Sequence, residues 1–215
     1  MAKTEKASSR KPTIKEKYVA YHEAGHAAVG HLLGIEVKFV SSDVVAHPPP
    51  EVITDGTAGI CCYGETVELP QDYPWIALVK DFIGYSVGHY AGKRGAPNGR
   101  PGIRTLDHAD FQPRQFLFKL AEDWGIDRSS TRVVEQFLMI VTKIVLEKSW
   151  PEIELVANAL LEKKFLTKEE VKAILPKSPD PEIYGIANEA TKTAMFMLTI
   201  MRERNLPQRA EKAVV

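Results

Sequence analysis

Tyr21-His22-Glu23-Ala24-Gly25-His26-Ala27 is the stretch on which the reading of this chain turns. His22 and His26 are four residues apart, so on a helix they lie about 40° apart on one face and one turn apart. That spacing lets two imidazoles converge on a single metal ion, with Glu23 projecting beside it as a proton acceptor for water. The helix itself is well signalled. Thr13 and Glu16 form a capping-box pair at its start, and Gly34 stands where a C-terminal stop is needed, so the spacing predicts a helix to about Leu33. Six histidines in 215 residues make an accidental H-E-x-x-H uncommon, roughly one or two in a hundred chains of this composition. Two helix histidines that merely pack or face water are the plain alternative. Gly25 costs about 1 kcal/mol against Ala in a helix interior, which is explained if another backbone approaches there.

Outward from the helix, the pattern changes. Val37, Phe39 and Val40, then Val44 and Val45, then Ile60 to Tyr63 form short β-branched runs interrupted by Pro48-Pro49-Pro50 and Asp55-Gly56, as in a small sheet with an irregular insert. Helical spacing returns over 72–91, followed by a Gly/Pro/Arg-rich loop over 92–102. Further helices are expected over about 107–124, 129–148 and 150–163. Thr167-Lys168-Glu169-Glu170 caps another short one, to Leu175. Residues 1–11 read as a polar tail, 12–175 as one domain, and 176–215 as a linker, an amphipathic helix over about 182–204 and a charged tail. The class is mainly α with a small β-sheet.

Composition narrows the function. Lys plus Arg and Asp plus Glu both number 28, so the basic excess that marks nucleic-acid binders is missing. The two cysteines, Cys61 and Cys62, are adjacent and make no disulfide framework. No apolar run approaches the roughly 18 residues of a membrane helix, and residues 1–11 carry no apolar signal core, so a cytoplasmic protein without membrane insertion is expected.

A catalytic zinc takes three protein ligands and leaves one position open. His31 is nine positions past His22, about 180° round the helix, and points away. His47 precedes three prolines in a loop. Asp107 and Asp110, at the head of a predicted helix, are the carboxylate candidates for a third oxygen donor. First-turn acids that merely cap that helix are the equal alternative.

The stretch from Val19 to Gly30 resembles the zinc helix of the FtsH-type metalloproteases, the membrane-anchored AAA proteases, with its H-E-A-G-H-A motif. In that family an aspartate near the head of a later helix, upstream of a Trp-Gly pair, is the third zinc ligand. Ala109-Asp110-Phe111-Gln112 before Trp124-Gly125 is the match, so the resemblance implies His22, His26 and Asp110 as metal ligands, with Asp107 as fallback. It resumes from Ile153 to Lys163 and from Leu166 to Val171. The implied fold is an FtsH-like metallopeptidase domain, and the implied function is zinc-dependent endopeptidase action on unfolded proteins or peptides, with Glu23 as general base. The family also takes substrate as an added strand, for which Thr57 to Cys62 is the candidate edge, with an ordinary buried strand carrying two small cysteines as the equal alternative.

The chain departs from the family in places. No G-x-x-x-x-G-K-[ST] phosphate loop occurs in it, so hydrolysis of ATP by that route is not expected, and a separate ATPase or assembly with further copies is the partner implied besides a polypeptide substrate. Gly-Tyr-Ser-Val-Gly-His-Tyr over 84–90 replaces an acidic pair, with His89 at an acidic position. A catalytically silent relative that binds unfolded chains or a partner ATPase is the alternative.

Overall fold

The computed structural model describes residues 10–43, 59–63, 75–98, 108–175 and 178–212. Helix α1 (Ile14–Leu32) opens on the expected box, in which the Glu16 amide donates to Thr13 Oγ1 (3.2 Å) and the Thr13 amide to Glu16 Oε2 (2.7 Å). It closes on Gly34 at φ +76°. The Gly34 amide donates to His31 O and the Ile35 amide to Gly30 O, the paired bonds by which a left-handed residue ends a helix. Between these ends α1 is buried on nearly every side. This explains its run of alanine and glycine, because neighbours come close from several directions.

Strands β1 (Val37–Ser41) and β2 (Ile60–Tyr63) follow α1, then α2 (Trp75–Gly95), α3 (His108–Asp123), α4 (Arg128–Lys148) and α5 (Trp150–Lys163). Strand β3 (Phe165–Thr167) leads into α6 (Lys168–Ile174), and α7 (Pro181–Lys212) ends the described chain. The sheet is antiparallel in the order β2-β1-β3, with Phe39 opposite both Cys62 and Thr167. A register shift between Val37 and Phe39 marks a bulge in β1. Mainly α with a small sheet is therefore what the chain forms.

Three expectations change. The second helix runs to Gly95 instead of stopping near 91, because Gly92 and Gly95 are where α2 lets the Tyr18 and Tyr21 rings of α1 lie against its backbone. A Cβ on either glycine would strike those rings. Strand β3 was not expected, since three residues are too short to show alternation and only pairing with β1 defines them. Helix α7 extends past 204 to Lys212. Val44, Val45 and Thr57-Ala58 lie outside the described residues.

One core joins these elements. Val29 and Leu33 share one buried cluster with Phe82, Ile83 and Val87 from α2, Leu138 and Val145 from α4, and Ile153 and Leu160 from α5. Helix α7 adds Ile183, Ala187, Ala190, Ala194 and Leu198 to the same cluster. Its start is tied to the end of α1. The Asp180 amide donates to Leu32 O (2.8 Å), Ser178 Oγ donates to His31 O (2.8 Å), and the Asp180 carboxylate caps the amides of Glu182 and Ile183. Among the described residues no helix is long and apolar enough to cross a membrane.

Candidate metal centre

Helix α1 packs on α2, with Tyr18 against Gly92, Tyr21 against Gly95 and His26 beside Gly84 and Gly88. A Cβ on Gly25 would stand 2.7 Å from Ala91 Cβ and 3.2 Å from Gly88 Cα. The helices thus touch backbone to backbone, and the glycine inside the H-E-x-x-H stretch is accounted for.

That contact brings the imidazoles together. His22 and His26 are 5% and 4% exposed, and their Nε2 atoms face each other 3.1 Å apart with the rings nearly perpendicular. His26 Nδ1 donates to the Gly84 carbonyl oxygen at 2.8 Å. With that N–H committed, Nε2 of the neutral ring carries the lone pair. Backbone carbonyls hold metal-ligating histidines in this way, fixing ring angle and tautomer together. Two ligands about 2.05 Å from one tetrahedral zinc stand about 3.3 Å apart, close to the separation found here. The donor set and its spacing therefore fit a zinc ion held by His22 Nε2 and His26 Nε2. In the neutral metal-free form one ring nitrogen instead donates to the other.

Glu23, 3% exposed, lies against the start of β2. A Cβ on Gly59 would fall 2.7 Å from Glu23 Cγ, 2.8 Å from its Oε1 and 2.6 Å from Val19 Cγ1. The carboxylate is thus confined between α1 and the incoming strand. Two imidazoles and a carboxylate at this depth are costly to bury unless hydrogen bonds or a cation compensate them.

The other expected residues are placed as follows. Asp110 is in the first turn of α3, which packs on α2 and α4, but its side chain lies outside the described residues. Asp107 and His47 lie outside them altogether. Among the described residues no third His, Cys, Asp or Glu joins His22 and His26 in a cluster. His31 points away from the pair, as the helical wheel requires, and its Nε2 donates to Leu175 O at 2.7 Å. Burial pushes its pKa below the ordinary histidine value; the bond to Leu175 opposes this and Lys172 adds to it. His89, half-buried on α2, is also held below its ordinary pKa, chiefly by burial and then by Lys93 and His22.

Three neighbours escape sequence reading. The Gly84 carbonyl has no side-chain signature. Gly88 backs the His26 ring so closely that a Cβ there would stand 2.3 Å from Nε2. Glycines at 84, 88 and 92, four residues apart in an apolar helix, were the available signal, and they read as a close helix crossing without naming what crosses. Tyr85, with its ring centroid 6.5 Å from that of His26, is the third neighbour missed. A scan against protein-family models finds no match for the chain, and no curated protein matches it.

Proposed function

We propose that this chain is a zinc-dependent endopeptidase of the FtsH type, acting on unfolded proteins or flexible peptides. The observation that carries the reading is the buried pair of Nε2 atoms 3.1 Å apart, with His26 locked by the Gly84 carbonyl and Glu23 buried on the same helix. His22 and His26 would hold the ion, with Asp110 as the proposed third ligand. When bound, zinc supplies Lewis acidity towards water and a peptide carbonyl.

The remaining work falls to the chain. Glu23 accepts a proton from the attacking water, keeps it on its carboxylate and delivers it to the leaving nitrogen. The α1/α2 contact holds the imidazoles at fixed angles and keeps bulk water from their flanks. An extended peptide would pair as an added strand along Ile60–Tyr63, which adjoins Glu23 through Gly59. Peptides bound by main-chain pairing must be unfolded locally, which restricts the substrate.

The test is cleavage of fluorescently labelled casein with zinc and without ATP, alongside metal analysis. Wild type should bind about one zinc and cleave. Glu23→Gln should keep the zinc and lose at least about 10²-fold in rate, and His26→Ala should lose the zinc. Zinc binding with no cleavage by wild type would instead favour a silent relative that holds unfolded chains or serves an ATPase. No zinc binding would sink both.

A further inference from the structure

We propose that Tyr18 is a positioning residue for His22, its ring setting the tilt at which His22 presents Nε2 to a metal; the inference rests on the metal centre of the endopeptidase reading. Tyr18, His22 and His26 follow one another at intervals of four along α1, so they stack turn upon turn on one face. Side chains on a helix lean towards its N-terminus, so the His22 ring covers the turn that carries Tyr18, and the His26 ring covers the turn that carries His22. The rings are found in that arrangement. Between Tyr18 and His22 the centroids are 6.0 Å apart with a 30° tilt, and between His22 and His26 they are 4.7 Å apart and nearly perpendicular. His22 thus has an aromatic neighbour one turn before it and another one turn after, both within the range of ring contact.

Both neighbours are anchored on α2. His26 is held by the Gly84 carbonyl and backed by Gly88. Tyr18 is buried, and a Cβ on Gly92 would stand 2.9, 3.0 and 3.2 Å from its Cζ, Cε2 and Cε1. The outer end of the phenol ring therefore rests against Gly92, where no side chain holds it off.

Rotation of an imidazole about its Cβ–Cγ bond is only loosely held by the residue itself, so packing decides it. His26 limits how His22 turns on the Nε2 side, where the two nitrogens meet at 3.1 Å, and Tyr18 limits it from the preceding turn. The other tyrosines do not serve. Tyr85 stands by His26, and Tyr21 stacks on Trp150 with its ring against Gly95. Without the Tyr18 ring His22 samples more tilts, and metal affinity falls through lost preorganisation with every donor atom still present.

The test reads zinc affinity by competition with a chromophoric chelator, and ligand geometry by the visible absorption of the cobalt(II) form. Tyr18→Leu should bind zinc about 10-fold more weakly, with shifted and broadened cobalt bands, while Tyr18→Phe, which keeps the ring, should match wild type within about twofold. Tyr21→Leu is the packing control. It removes an equal ring from the same α1/α2 contact and should lower thermal stability while leaving both metal readouts unchanged. Gly92→Ala presses on the Tyr18 ring from α2 and should shift the cobalt bands with α1 unaltered, so it decides the matter if Tyr18→Leu does not fold. Wild-type affinity and bands in Tyr18→Leu, or wild-type bands in Gly92→Ala where Tyr18→Leu does not fold, overturn the role of Tyr18 and leave the metal centre intact. Equal losses in Tyr18→Phe and Tyr18→Leu overturn it in favour of the hydroxyl, and equal losses in Tyr21→Leu and Tyr18→Leu in favour of general packing. Wild type that binds neither metal overturns the centre and this inference with it.

Discussion

Placing one methyl group on Gly88 tests the geometry of the centre without touching a ligand. In Gly88→Ala the new Cβ would stand 2.3 Å from His26 Nε2, 2.6 Å from Cε1 and 2.9 Å from Cδ2, against the roughly 3.5 Å that such atoms need. The ring must retreat by on the order of 1 Å, yet its other nitrogen is tied to the Gly84 carbonyl. It keeps that bond and tilts Nε2 away from His22, or it breaks the bond and loses its tautomer. Either way zinc affinity should fall by about 10–100-fold, the scale of losing an outer partner. Stability changes less. Overpacking costs about 1–3 kcal/mol, and alanine recovers about 1 kcal/mol of helix propensity. Gly95→Ala is the control, since its Cβ would press on the Tyr21 ring in the same α1/α2 contact with no histidine involved. Zinc competition against a chromophoric chelator, with thermal unfolding of both variants, reads the outcome. Gly88→Ala binding zinc as tightly as wild type would refute the proposed centre. So would equal losses of affinity in both variants, which would reduce the effect to general packing.

Thr13→Ala should lower stability by about 0.5–2 kcal/mol in denaturant titration. The Thr13 amide and hydroxyl hold the Glu16 carboxyl below its ordinary pKa, so this contribution is full above the unfolded value near 4.5 and fades as pH falls through the lowered one. The variant should therefore show a flatter acid limb. His31 is held below its ordinary 6.5, so the unfolded chain takes up its proton first and stability drops as pH falls below about 6.5. His31→Gln, compared with wild type by thermal melts in chelator from pH 7 to 5, should lose part of that slope; an unchanged slope refutes the assignment. Leu198 is fully buried, so Leu198→Ala should cost about 2–5 kcal/mol. A loss under about 0.5 kcal/mol would show that α7 does not belong to the common core.

Much of the fold was legible because its signals are local. Thr13 with Glu16 and Thr167 with Glu170 each close a hydrogen-bonded ring within four residues, so both helix starts were readable without a partner. Gly34 stops α1 for the same reason, a positive φ that a Cβ would strain. The end of α2 is not legible locally, because its late glycines serve a neighbouring helix while sharing the pattern of loop formers. β3 was missed because a three-residue strand is defined by its partner.

The H-E-x-x-H pattern, in which His22 and His26 share a face, Glu23 follows and His31 turns away, is already written in the chain, because the 3.6-residue period settles direction around a helix. Packing in three dimensions adds that these side chains are buried, that the Gly84 carbonyl locks one ring, that Gly59 and Gly88 make room for Glu23 and His26, and that the Tyr85 ring lies near that of His26. These contacts join residues 36 to 62 positions apart, at heights set by how α2 and β2 dock on α1, and no local periodicity encodes that docking.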